Sequence, residues 1–388
     1  MKKYFIIAVA AVAAMAACSK VEANLDNANA PGQKITFQAA NYATATKAGE
    51  VSVLNDFTAF KCKAYLHAEG IDLNADGTVN GTSFQNFFGA DGETISVDNA
   101  TTPTEWAPSH TYYWPKGTKS FVNFIGWYGK DGSGAESTPT ITYAYDGTAS
   151  KYKATLVWDY TSVAGNSTSN LLYADMAWRF KSNKNPAKYG VSGASEGVPM
   201  LFHHALAQIN VKAYADGTVL TGAVEDANAS WTIVLENPKI TTVYNAGTLT
   251  LTNEDPGTAA TEQEWTGSWA GTGSTGNITA SNLNVDKITK ETANTLFNAT
   301  CVVPQTIGAD VLLTFNMRIT TTYKTNPANP NVELIPVSIK LNDMGTTAWA
   351  LNTKYTYYLK IVPSQSVVLF DPALEDDWSE VEGTEQTI

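Results

Sequence analysis

Cysteine is nearly absent from this chain. Three occur in 388 residues, at positions 18, 62 and 301, too few for a fold framed by disulfides. Cys62 alternates with Phe60 and Ala64, which places its thiol in a core as a small hydrophobe rather than in a bridge to the distant Cys301. Histidine is also scarce. Of four, only His203 and His204 are adjacent, and neighbours in a strand point to opposite faces, a poor arrangement for one metal. Basic charge is short: 25 Lys and Arg stand against 37 Asp and Glu, for a net charge of −12. Phosphate binding needs a basic face, so nucleic acid is excluded as a partner. There is no Gly-rich phosphate loop, no nucleophile elbow, no helical His pair and no paired CxxC, so nothing calls for a cofactor. A glycosidase's two carboxylates cannot be picked out, because their spacing is spatial. Helical periodicity is nearly missing as well, with residues 285–297 the best candidate for a helix.

What the chain has instead is alternation with a period of two. Phe60, Cys62, Ala64 and Leu66 alternate with Lys61, Lys63 and Tyr65. Ile209, Val211 and Ala213 do the same, as do Val311, Leu313, Phe315, Met317 and Ile319. Val337, Ile339 and Leu341 follow, then Tyr355, Tyr357, Leu359 and Ile361. Each set puts apolar groups on one face of a strand. Residues 121–128 are apolar on both faces and read as a central strand. Trp231, Ile233 and Leu235, and then Leu249 and Leu251, add two more. Turn-rich stretches over residues 253–277 and 326–331 separate them. The pattern is all-β and sandwich-like. Residues 183–198 hold Pro186, several Gly and few apolar groups, which marks a boundary between an N-terminal domain at 34–195 and a C-terminal domain at 198–388. The last eighteen residues carry seven acidic groups and no basic one, and read as a solvated tail.

The first residues read as an export signal. Lys2 and Lys3 precede an apolar run that ends Met15-Ala16-Ala17-Cys18. The run is too short to span a bilayer and ends in small residues, as a signal peptide over 1–17 does. A cysteine directly after the cut matches the lipobox of bacterial lipoproteins, whose thiol takes a diacylglycerol; Cys18 is the expected lipidation site. Residues 18–33 are polar and read as a flexible tether. The chain is thus expected at the outer membrane, held by lipid.

Two further features are weighed. Asp72, Asn74 and Asp76, followed by Gly77, space oxygen ligands as the start of a calcium loop does. Position twelve is Ser83, so the bidentate acid is missing and a plain Asp/Asn/Gly turn is the competing reading. Ten Trp residues could stack on sugars or fill a core, the usual place for Trp in an all-β protein.

Several segments in order resemble the fimbrillin family, the type V pilus subunits of Bacteroidales. After the lipobox come Ile35-Thr36-Phe37-Gln38-Ala39 and Thr44-Ala45-Thr46-Lys47-Ala48. Then come Tyr113-Trp114-Pro115, Phe121-Val122-Asn123-Phe124, Asn170-Leu171-Leu172-Tyr173-Ala174 and the run Leu201 to Ile209. Tyr355-Thr356-Tyr357 and Asp376-Asp377-Trp378 close the series. The resemblance implies two transthyretin-like β-sandwich domains in tandem, lipoprotein export and trimming by a trypsin-like protease. It also implies polymerisation with other pilus subunits by strand exchange. A cut between Lys47 and Ala48 would carry away the lipid and the strand bearing Ile35, Phe37 and Ala39, and leave an apolar groove with unpaired backbone. The family's cut commonly follows Arg, whereas Lys47 stands here. The candidate donor strand is Val367, Val368, Leu369 and Phe370, which could equally belong to its own domain's sheet. Stalk, anchor and accessory roles stay open, as does a surface glycan-binding lipoprotein built on the same sandwiches.

Overall fold

The computed structural model describes residues 32–41, 52–53, 58–67, 84–98, 105–116, 120–131, 133–161, 169–183, 197–220, 223–257, 260–271 and 275–377. Twenty-eight strands carry the described fold. The first seven are β1 (Phe37–Asn41), β2 (Ser52–Val53), β3 (Ala59–His67), β4 (Gln85–Asn86), β5 (Glu93–Asp98), β6 (Glu105–Pro108) and β7 (Phe121–Lys130). Then follow β8 (Thr140–Asp146), β9 (Lys151–Thr161), β10 (Asn170–Ala174), β11 (Met176–Phe180), β12 (Val198–His204), β13 (Ala207–Ala215), β14 (Thr218–Leu220) and β15 (Ala223–Glu225). After these come β16 (Ala229–Tyr244), β17 (Ala246–Glu254), β18 (Thr261–Gln263), β19 (Thr266–Gly271), β20 (Thr275–Thr279), β21 (Leu283–Val285) and β22 (Asn294–Val302). The last are β23 (Gln305–Thr306), β24 (Leu312–Tyr323), β25 (Asn326–Lys340), β26 (Ala348–Trp349), β27 (Thr353–Val362) and β28 (Val367–Asp377).

The all-β expectation holds, but the first unit is a closed barrel rather than a two-sheet sandwich. Seven strands pair in the circuit β7-β10-β12-β1-β6-β5-β3, and β3 returns to β7 along a register from Lys61↔Trp127 to His67↔Phe121. Closure leaves those seven strands without an open edge. Alternation fills the interior: Phe60, Cys62, Ala64 and Leu66 of β3 meet Val122 and Phe124 of β7, Leu172 of β10, and Met200 and Phe202 of β12. The opposite faces are apolar too. Tyr65, Ile125, Trp127, Leu171 and Tyr173 point outward and are covered by the four-stranded sheet β19-β17-β9-β8, through Leu156, Trp158, Leu249 and Leu251. Burial on both faces is why residues 121–128 lack polar alternation.

The second unit is a sandwich. The sheet β22-β13-β27-β28 faces the sheet β14-β15-β16-β24-β25, with β20 and β21 also paired to β16. Ile209, Val211, Leu359 and Ile361 from one side interdigitate with Ile233, Leu235, Leu313 and Met317 from the other.

The pairings cross the expected division at 195–198. β12 lies in the barrel wall between β10 and β1. β16 continues across one residue, Asn245, into β17, which pairs with β9 of the first half, while β18 pairs with β11. Trp265 and Trp269 hold this crossing ribbon down by donating their indole N–H to the carbonyls of Ala174 at 2.8 Å and Ala205 at 2.5 Å. Residues 253–277, expected as turns, thus carry β18, β19 and the start of β20; residues 326–331, also expected as turns, open β25. The helix expected over 285–297 does not form. Leu283–Val285 pairs with β16, and β22 starts at Asn294. Asn294 Oδ1 accepts from the backbone N–H groups of Asp286 and Lys287, and its Nδ2 donates to Asp286 Oδ1. Asn, Asp and Thr side chains closing local bonds of this kind compete with helix formation.

Candidate functional site

The segment the resemblance marks for removal is a stave of the barrel. Ile35 and Phe37 are 2% and 1% exposed, and Ala39 packs partly buried beside them. Phe37 meets Phe60, Phe88 and Phe124 edge-on, with ring centroids 6.0, 6.3 and 5.4 Å apart, the preferred aromatic geometry. The three sequence-predicted side chains therefore do come together, Phe37 and Ala39 from β1 and Ile35 from the residues just before it, in one core.

Both flanks of this segment are hydrogen-bonded. β1 runs parallel to β12, from Phe37↔Val198 to Asn41↔Phe202. On the other side Phe37 pairs antiparallel with Trp106 of β6, and Lys34 bridges Tyr113. There the Ile35 N–H donates to the Tyr112 carbonyl at 2.9 Å and the Trp114 N–H to the Gln33 carbonyl at 3.1 Å. The Val198 N–H donates to the Thr36 carbonyl at 2.7 Å. β2 pairs with the end of β1 at Ala40↔Val53 and Asn41↔Ser52, so Lys47 lies in the sequence between two paired strands. Gly197 is a glycine for a reason: a Cβ there would stand 2.6–2.9 Å from the backbone of Phe37.

Asn183, Trp114 and Gly197 belong to this site and were not singled out in the sequence. Asn183 Nδ2 donates to the Lys34 carbonyl at 2.9 Å and to Thr36 Oγ1 at 3.1 Å. Its Oδ1 accepts from Trp114 Nε1 at 2.9 Å and from the Thr36 N–H at 3.4 Å. Asn183 and Gly197 sit within the Gly- and Pro-containing stretch read as a boundary, where no local signal sets them apart. Trp114 entered only as part of a short motif.

The candidate donor segment lies elsewhere. Val367, Val368, Leu369 and Phe370 begin β28, which pairs with β27 at the edge of the sandwich, in its own domain's sheet. Val368 packs against the sandwich core and Leu369 is half exposed. Cys18, Lys47, Ala48, Asp72, Asn74 and Asp76 all fall outside the described residues.

Other clusters are structural in geometry. His203 Nε2 bonds Asp175 Oδ1 at 2.8 Å and stacks on Tyr173. Burial, then the charge of His203, pulls the His204 imidazole down to about 3. Among the described residues no group of three or more His, Cys, Asp or Glu is placed to hold a metal. Burial drives the Cys62 thiol well up and the Cys301 thiol to about 12. Of the nine described Trp, eight are buried and Trp269 is partly buried against the same core.

Compared with known proteins, residues 68–378 match a family model described as fimbrillin-like. No curated protein matches the chain. Among solved structures, a fimbrial protein from Bacteroides vulgatus is similar at 14% identity and a TM-score of 0.52, over 89% of this chain and all of that one. A cell-adhesion candidate from Bacteroides uniformis is 17% identical with a TM-score of 0.39, over 89% of this chain and 99% of that one. At 14% identity, the first of these likenesses concerns the fold alone.

Proposed function

The chain belongs to the fimbrillin-like family, and on that premise we propose that it is a structural, non-enzymatic subunit of a cell-surface pilus, assembled by exchange of β1. Export runs through the signal over 1–17 and lipidation of Cys18. A trypsin-like protease cuts between Lys47 and Ala48, which separates β1 from β2 and frees the segment that carries the lipid. The barrel is left open between β12 and β6, and a strand from another subunit enters. The fibre serves adhesion. The barrel with its covering sheet, and the sandwich, are its two tandem domains.

One observation carries the reading: β1 is a wall strand paired on both flanks, and the candidate cut at Lys47 lies in the sequence between it and β2. Burying Ile35 and Phe37 contributes ~3–6 kcal/mol at ~1.5–3 per large apolar side chain, and each net hydrogen bond adds about 0.5–1.5. A strand worth that much to the precursor is worth as much to a joint between subunits that replaces it with an equivalent. Val367, Val368, Leu369 and Phe370 are the proposed donor, since an edge strand has one partner to leave rather than two. The glycan-binding alternative is not favoured, because the Trp residues it needs are largely spent on the core.

The test uses purified chain beginning at Ser19, treated with a lysine-cleaving protease under native conditions. Release of the segment ending at Lys47, followed by a ladder of oligomers on unboiled denaturing gels, supports the reading. A stable monomer after the same release contradicts it.

A further inference from the structure

The turn that joins β27 to β28 is strained. A single 3-10 turn over Pro363–Gln365 reverses the chain, and Ser366 follows it with φ 53° and ψ 36°, in the left-handed region. Glycine is the usual occupant of that place in a hairpin, because a Cβ there crowds the following carbonyl. A serine costs backbone energy that an extended chain would give back. Within the turn the Ser366 N–H reaches the Pro363 carbonyl only at 3.3 Å. Pro363 is buried and fixes the pivot.

One short bond opposes that strain. Ser366 Oγ donates to Glu333 Oε2 at 2.7 Å, a distance typical of a hydroxyl on a carboxylate. Glu333 lies on β25 in the opposite sheet, and Asn331 Nδ2 donates to its Oε1 at 3.1 Å, which aims the carboxylate. The bond therefore ties β28 to β25, each the edge strand of its own sheet. Apart from this bond, β28 is lightly seated at its start. Val368 is partly buried and Leu369 is 51% exposed. The register with β27 then slips between Tyr358↔Asp371 and Thr356↔Leu374. The stretch Val367 to Asp371 is thus bounded by a strained turn and a bulge.

We infer that the Ser366–Glu333 bond is a latch on the donor strand, holding β28 in its own sheet against a turn whose backbone favours straightening. Whichever end of β28 frays first, the strand cannot reach another subunit until the hairpin at residues 363–366 straightens. Straightening takes Ser366 out of the left-handed region and breaks its bond to Glu333 in one movement. Loss of the bond and relief of the strain therefore come together, and the turn has a closed and an open state. The inference rests on the strand-exchange reading above, with β28 as donor, and adds to it what restrains the donor before use.

The experiment uses the full chain from Ser19, uncut, and follows backbone hydrogen exchange of Val367 to Phe370. Ser366→Ala keeps the Cβ and removes the hydroxyl; Glu333→Ala removes the acceptor. Each should speed exchange there about tenfold, the effect of about one hydrogen bond, while β13 and β24 exchange as in wild type. The double variant should be no faster than either single one. Ser366→Gly loses the hydroxyl and the strain together, and should exchange more slowly than Ser366→Ala. Unchanged exchange in folded Ser366→Ala, or single effects that add in the double variant, overturns the latch and leaves strand exchange standing. The same chains are then cut after Lys47 and the growth of their gel ladders is timed. Ser366→Ala and Glu333→Ala should assemble faster than wild type by a similar factor. Faster exchange with unchanged assembly overturns the latch as a control on donation. No ladder from any of these chains sinks the strand-exchange reading, and the latch with it.

Discussion

Phe37→Ala separates the role of β1 in the precursor from its role in the fibre. Phe37 is 1% exposed and rests against three other phenylalanines. Truncating a buried Phe to Ala costs about 3–5 kcal/mol through lost transfer energy and the cavity left behind. In the uncut chain this loosens one stave of a closed wall, and thermal unfolding should move down accordingly. In a chain cut after Lys47, the same loss falls on the hold of the severed segment. At about 1.4 kcal/mol per tenfold, even ~3 kcal/mol speeds release of that segment more than a hundredfold. The assembled fibre should not notice, because the altered residue has left with the segment. The assay pairs two readings on the same preparation. Segment release is followed by fluorescence of a label near Lys34, and oligomer resistance by the temperature at which the gel ladder collapses. Faster release with an unchanged collapse temperature fits the account. A fibre weakened as much as the monomer would mean that Phe37 stays in place and that β1 is never exchanged.

Three further outcomes follow from the same geometry. Arg179 grips Asp255 with two bonds of 2.7 Å, and the Asp255 side chain is 2% exposed; Arg179→Ala should cost about 3–5 kcal/mol by stranding that carboxylate, and adding Asp255→Asn should restore much of it in urea denaturation. His204 falls from 6.5 to about 3 in the fold, so the unfolded chain binds a proton first. Stability is then whole above pH 6.5 and is lost as the pH falls toward 3, by about 2 kcal/mol at pH 5 at ~1.36 per pH unit; His204→Gln should remove that share of the slope. Cys62 and Cys301, both buried with raised thiols, should resist a thiol reagent in the native chain and react together at the unfolding transition.

Much of the fold was legible because alternation records burial directly. The alternating residues of β3, β13, β24 and β27 stand on the core faces their sequence assigned. Barrel closure was not legible. Whether β3 pairs with β7 or faces it across a sandwich depends on strand tilt and stagger, and the inward set Phe60, Cys62, Ala64 and Leu66 serves either arrangement. The domain crossing was hidden for a related reason: Trp265 and Trp269 stand in a Thr- and Gly-rich stretch, and only their docking on Ala174 and Ala205 makes strands of it. At the slot, Ile35, Phe37 and Ala39 were marked by the family resemblance. Asn183 could not, since an amide that reads backbone 149 residues away leaves no trace in its own neighbourhood.

The claim that matters most is that one slot holds β1 before trimming and another subunit's strand afterwards. Tyr112 lines that slot, accepting the Ile35 N–H on its carbonyl. Replacing it with a photo-crosslinking aromatic, then irradiating before and after cleavage at Lys47, identifies the occupant by the mass of the crosslinked peptide. The account expects a link within the chain to residues 33–41 before the cut, and a link to a second subunit's strand after it. A crosslink to residues 33–41 that persists in assembled fibres would contradict it.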